Sequence, residues 1–370
     1  LGYWRFHFIS TADIGAARRR DSELPLQLSQ TAADTREKPD FANRSLALLL
    51  ARSGWLNFRE SVKNIYFAVI ALAAVLAVFA SSLNMGAIFG TNTYPVTYQV
   101  LEMISETFSL FMLIVTTFYA GELVWREREA RVAPMLDVMP VPTWVRMLAK
   151  VFALIGLQAL MLFVLMLCGL LIQVFNGYFV FELGLYVKTL FLIQLPQYAL
   201  IAVLAIALQV LFNHKYVAYF AMIMYYVATI AFDTLGLDHP MILYGTSPDF
   251  VYSAMNGFGH YLARERWFQL YWGGAALMLL VLTLVFWPRG CNDELGSRIR
   301  LARRNLSMPV LASFAFGLAI FAGAGSLLYY NLHVANDFHT AWQDEQQRAD
   351  YELRYKPLAA LAQPRVTDVD

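Results

Sequence analysis

Seven long apolar runs limit the folds open to this chain more than any other feature. They span residues 65–83, 101–124, 145–174, 183–212, 216–235, 268–287 and 309–330. Crossing a hydrocarbon core takes roughly 20 helical residues, and every run meets or approaches that length. Inside lipid each backbone N–H and C=O needs a partner within the protein, so such runs fold as helices. Composition agrees, with 59% apolar residues, 15% charged residues and a mean hydropathy of +0.50. The expected fold is all-α, a polytopic membrane helix bundle.

Basic residues set the expected orientation. The segment 122–150 holds Arg126, Arg128, Arg131, Arg146 and Lys150, and 288–308 holds Arg289, Arg298, Arg300, Arg303 and Arg304. Both read as cytoplasmic by the positive-inside rule. Asn213-His214-Lys215 reads as a tight cytoplasmic turn, whereas 84–98 has no Lys or Arg and reads as external. Arg264 and Arg266 breach the trend, with Glu265, Asp233 and Asp238 near enough to offset them. Seven spans then leave the N-terminus inside and the C-terminus outside.

This order divides the chain into parts. Residues 1–43 are polar, with Arg18, Arg19 and Arg20 adjacent and with Pro25 and Pro39; they read as a cytoplasmic linker or a disordered leader. The first ten residues lack the order of a secretory signal, and the chain does not begin with Met, so it is expected to start inside a longer gene product, after an earlier span. Residues 44–64 read as an interfacial helix with Trp55 at headgroup level, broken in two by Ser53-Gly54. Residues 65–287 form a six-span unit, 288–308 a basic cytoplasmic loop, 309–330 a seventh span and 331–370 an external tail. The external stretch 236–267 is rich in Gly, Pro and aromatic residues and is expected to form short packed helices. In the tail, 342–362 reads as a helix interrupted by Pro357.

Several kinds of chemistry find no support. A net charge of +1 with dispersed basic residues gives no reason for a nucleic-acid partner. Cys168 lies in an apolar span and Cys291 in a basic loop, so they cannot bridge on this topology. The chain contains neither G-x-x-x-x-G-K-[ST] nor H-E-x-x-H. His333 and His339 stand six apart without that glutamate, so no metal site and no catalytic residue is assigned. Polar groups inside spans are more informative, because an ionisable side chain in lipid faces protein or water. Glu102 and Glu106, one turn apart, mark either an outer mouth wetted by headgroups or the entrance of a polar pathway. Gln194 and Gln197 flank Pro196, which should kink the fourth span. They serve either as interhelical hydrogen bonds or as the lining of that pathway.

Between the second and third spans, residues 122–142 read Glu-Leu-Val-Trp-Arg-Glu-Arg-Glu-Ala-Arg-Val-Ala-Pro-Met-Leu-Asp-Val-Met-Pro-Val-Pro. Glu127 and Arg131 have the spacing of a helix-surface ion pair. Pro134 should break the helix, and Pro140 and Pro142 fix the exit. Met135, Leu136, Val138 and Met139 form a short apolar strip. From the residues alone, the loop is either a dock for a cytoplasmic partner or a positive-inside anchor whose strip lies on lipid.

This loop resembles the first cytoplasmic loop of an ABC transporter permease of the exporter type, with six spans and here one extra C-terminal span. In that family it is the coupling helix on the ATPase subunit. The resemblance implies coupling roles for Arg126, Glu127, Arg128, Glu129, Met135, Leu136 and Met139. It implies a separate ATPase subunit holding ATP and Mg²⁺, no cofactor in this chain, and a partner permease half or second copy in a bacterial inner membrane. Tyr252-Ser-Ala-Met-Asn-Gly-Phe-Gly-His260 and Trp267-Phe-Gln-Leu-Tyr-Trp272 resemble a bacterial subfamily whose permease is fused to a zinc aminopeptidase. The segment from Tyr351, with Gln363-Pro-Arg-Val-Thr-Asp-Val, looks like that subfamily's connector, with the peptidase absent. A transport role is therefore expected, the alternative being a passive anchor for a periplasmic aminopeptidase.

Overall fold

The computed structural model describes residues 43–83, 94–235, 239–248, 252–259, 261–287 and 295–360. Two units are distinguished, Leu1–Leu46 and Ala47–Asp370, and the fold is that of the second. The described residues are helical apart from turns and one isolated bridge, Ser253 with Gly257. Seven of their helices are long and apolar enough to cross a membrane, so the polytopic all-α bundle stands.

In chain order, α1 is Asn43–Lys63, α2 is Ile65–Ser82 and α3 is Thr97–Glu129. A short α4, Ala133–Val138, precedes α5, Thr143–Phe175. The fourth span comprises α6, Leu183–Val187, a π-turn segment Lys188–Gln194, and α7, Leu195–Phe212. Then come α8, Lys215–Thr234; α9, Tyr261–Val285; α10, Leu295–Asn305; α11, Met308–His333; and α12, Ala341–Tyr355, continued by a 3₁₀ turn, Lys356–Ala360.

The core lies where α3, α5, α7 and α9 meet. Ile104, Phe108, Met112 and Tyr119 of α3 and Leu154, Leu157 and Met161 of α5 are fully buried there. Buried amides join the spans: Gln158 donates to Thr116 Oγ1 at 2.8 Å and to the Tyr198 carbonyl at 3.0 Å. Such bonds average roughly 0.6 kcal/mol in membrane bundles, so they fix register more than they stabilise. The seventh span packs chiefly on α9. A Cβ on Gly274 would come within 2.7 Å of the Phe321 nitrogen, and Tyr271 stacks on Phe321 with ring centroids 4.4 Å apart. Small residues let these two backbones approach, the usual route to helix association in lipid.

Several expectations change. Ser53-Gly54 does not break α1, which runs unbroken for 21 residues. Gly54 is buried against Ala149 and Phe152 of α5, and this packing outweighs the cost of about 1 kcal/mol for a helical glycine. The sixth-span helix starts at Tyr261, so Arg264, Glu265 and Arg266 belong to it rather than to an outer loop. The described parts of 236–267 outside α9 form turns instead of short helices. They are nonetheless tied down: Tyr225 donates to the Tyr244 carbonyl, Tyr244 to Leu200, and Trp272 Nε1 to Thr246 at 2.7 Å. The basic loop 288–308 contains helix α10. The tail helix starts with a capping box between Thr340 and Gln343 and gives way to a 3₁₀ turn around Pro357. The 1–42 portion of the linker, Cys291 and the 363–369 motif lie outside the described residues.

Candidate functional site

The site is the elbow joining α3, α4 and α5. Helix α3 does not stop at the apolar boundary; Trp125-Arg126-Glu127-Arg128-Glu129 continue it outward. It ends in a Schellman motif: Arg131 N–H bonds the Arg128 carbonyl at 2.9 Å and Val132 N–H the Glu127 carbonyl at 3.0 Å. Arg131 takes φ +58 at the position where glycine usually sits. The chain thus reverses before Pro134, which lies in the first turn of α4, where a missing N–H costs nothing. Pro134 therefore starts the next helix instead of breaking the last one.

Helix α4 presents an apolar tip. Met135 is 73% exposed, Val138 86% and Met139 52%, whereas Leu136 is half-buried. Around it Glu127 and Asp137 turn to basic partners on α5. Glu127 pairs with Lys150 at 3.0 Å and Asp137 with Arg146 at 2.9 Å. Lys150 is almost fully buried, and its Nζ stands 5.6 Å from the Trp287 ring centre. Its Nζ makes a charge contact with Glu127 rather than an aligned hydrogen bond. Trp287 follows α9, so this one ammonium links adjoining ends of α3, α5 and α9.

Further ties radiate from the same helix end. Arg126 pairs with Glu60 of α1 at 2.8 Å and Arg128 donates to Asn213 Oδ1 at 2.7 Å. Lys215 of α8 pairs with Glu129 at 2.7 Å, and Trp125 Nε1 donates to Gln209 Oε1 of α7 at 2.9 Å. Arg298 of α10, itself buried, donates to the Val210 and Leu211 carbonyls at the end of α7 at 2.7 and 3.1 Å. A cavity of about 320 Å³ remains in the elbow, lined by groups of both signs including Glu127, Arg128, Asp137 and Arg146.

One correction follows. The Glu127–Arg131 ion pair expected from spacing gives way to Glu127–Lys150, because α3 ends at Glu129 and Arg131 leaves the helical path. Arg126, Glu127, Arg128 and Glu129 each tie the end of α3 to another part of the bundle, Glu129 remaining exposed, as are Met135, Val138 and Met139. Sequence reasoning missed Lys150 as the hub; its only signal was a lone ammonium one turn inside an apolar run.

The four candidate pathway residues do not gather at one place. Glu102 and Glu106 are exposed on the side of α3. Gln194 donates to Ser105 Oγ at 2.9 Å. Gln197 donates to Ser247 Oγ at 2.9 Å and to Glu265 Oε1 at 3.0 Å. A π-turn segment, Lys188–Gln194, precedes Pro196, which lies in the first turn of α7.

Residues 62–231 match the family described as ABC-2 family transporter protein. The matched stretch runs from the end of α1 into α8 and includes the whole elbow. No curated protein and no solved structure matches the chain. The match covers somewhat less than half of the chain, and with the seven candidate spans it supports a multi-pass membrane protein similar to ABC transporter permeases.

Proposed function

We propose that the chain is the transmembrane part of an ABC exporter and that α4 is its coupling element, seated on a separate ATPase subunit. What carries the reading is the exposed apolar tip Met135, Val138 and Met139 on a short helix whose surroundings are fixed by ion pairs. A rigid lever needs such a mount: force applied at α4 reaches α3, α5 and α9 through Glu127, Lys150 and Trp287. ATP and Mg²⁺ belong to the partner, and a second permease half or second copy completes the transporter in the bacterial inner membrane. The tail from α12 onward serves as the connector toward a periplasmic aminopeptidase. A passive anchor is the second reading; the glycine-mediated seat of α11 on α9 favours it, since that span adds little to the core.

The test is co-purification of the ATPase with Met135→Asp/Val138→Asp in membranes holding equal amounts of permease. Charges forced into a central apolar contact cost at least about 2 kcal/mol, so binding should weaken roughly 30-fold and turnover should no longer respond to the permease. Unchanged binding and turnover would overturn the coupling role and leave the anchor.

A further inference from the structure

Glu265 lies in the first turns of α9 and is only 4% exposed. No described ion pair reaches it. Its protein partners are two amides, Gln197 Nε2 at 3.0 Å and Gln269 Nε2 at 3.3 Å, and both bond the same oxygen, Oε1. Gln269 Nε2 is shared with the Ile193 carbonyl of the π-turn at 3.4 Å, which divides its hold on the carboxylate. A buried carboxylate that lacks a cation costs several kcal/mol, and intramembrane acids pair with a partner or mark a transport path. Two neutral amides supply hydrogen bonds but no charge. The missing component is a positive charge that brings its own N–H donors.

We infer that Glu265 is the anchoring carboxylate of a binding site for an ammonium-type cation, with Gln197 and Gln269 beside it. The inference rests on the permease reading and gives the cargo a chemical class: molecules carrying a protonated amine. Gln197 Nε2 also holds Ser247 of the outer segment, at 2.9 Å. That segment is pinned by Tyr225, Tyr244 and Trp272, so the amide that touches Glu265 also latches the outer cover. A cation arriving at Glu265 competes with that amide for the carboxylate, so occupancy changes the hydrogen bonding of the side chain that holds Ser247.

The chain in lipid nanodiscs is dialysed against hexylammonium and, separately, against hexanol, for the native protein and for Glu265→Gln. The amide keeps the acceptor oxygen and removes the charge, and comparing two proteins in the same lipid cancels partitioning. The native protein should retain one extra equivalent of hexylammonium and none of hexanol, and Glu265→Gln should retain neither. Equal retention by both proteins, or retention of hexanol as well, would overturn the site. Should Glu265→Gln not fold, carbodiimide labelling of native Glu265 gives the answer: hexylammonium must slow it about tenfold, the effect of 1.4 kcal/mol, and hexanol must not. ATPase binding through α4, measured in the same nanodiscs, separates the two ideas. Intact binding with no ammonium site sinks this inference alone, whereas absent binding by the native chain sinks the permease reading beneath it.

Discussion

Replacing Lys150 by Met tests whether the elbow is braced as described. The substitution keeps the length of the side chain and deletes its charge. Breaking a buried pair by removing one partner costs about 3–5 kcal/mol when both groups are buried. Here Lys150 is 2% exposed along its side chain, but Glu127 is 24% exposed, so water recovers part of the loss for the carboxylate. Loss of the contact with the Trp287 ring adds about 0.5–1 kcal/mol. The expected cost is therefore about 2–3 kcal/mol. Glu127→Gln leaves an almost fully buried ammonium alone and should cost a similar amount. The double variant should cost no more than about 1 kcal/mol, since neither charge remains to be solvated. The assay is reversible unfolding in mixed micelles, followed by tryptophan fluorescence, across the full cycle. Additive single costs, with a coupling under about 0.5 kcal/mol, would refute the pairing and with it the linkage of α3, α5 and α9 through this ammonium.

Other outcomes follow from the same geometry. Arg131→Gly should stabilise the protein by about 1 kcal/mol, because φ +58 is a strained conformation for any side chain with a Cβ; a lower unfolding midpoint would count against the Schellman turn. Gly274→Leu should detach α11 from α9, where a Cβ already meets the Phe321 nitrogen at 2.7 Å, and crosslinking of cysteines placed on the two helices should fall with it; unchanged crosslinking would mean that the glycine contact is not what seats the seventh span. A membrane-impermeant thiol reagent on intact cells, with Cys291→Ser as background, should label a cysteine at Ala341 and miss one at Arg303; the reverse pattern would overturn the orientation.

The spans were legible because lipid imposes a long apolar run, and a backbone that must satisfy its own hydrogen bonds leaves such a run little choice but a helix. The fourth run coincides with its helix, 183–212, and the others shift by a few residues at their ends. The exception is the sixth, whose first turns are written in polar residues, Tyr261-Leu-Ala-Arg-Glu-Arg. A hydropathy reading starts at Phe268 and so assigns Glu265 to an outer loop. Only the approach of Gln197 from α7 and Gln269 from its own helix reveals that the carboxylate is enclosed.

The elbow divides in the same way. The sequence alone determined that a charged helix end, a proline and an apolar strip lie between two spans on the basic side, because turn chemistry and charge asymmetry are local. Which charges meet was decided by the tertiary structure. Glu127 had a partner four residues away in Arg131 and another 23 residues away in Lys150, and the local choice carried only about 0.3–0.5 kcal/mol at a surface. Reversal of the chain at Arg131 removed that choice, and packing of α5 against α3 brought a buried ammonium to 3.0 Å. Burial makes an unpaired charge far more costly than a lost surface pair, so the long-range partner prevails.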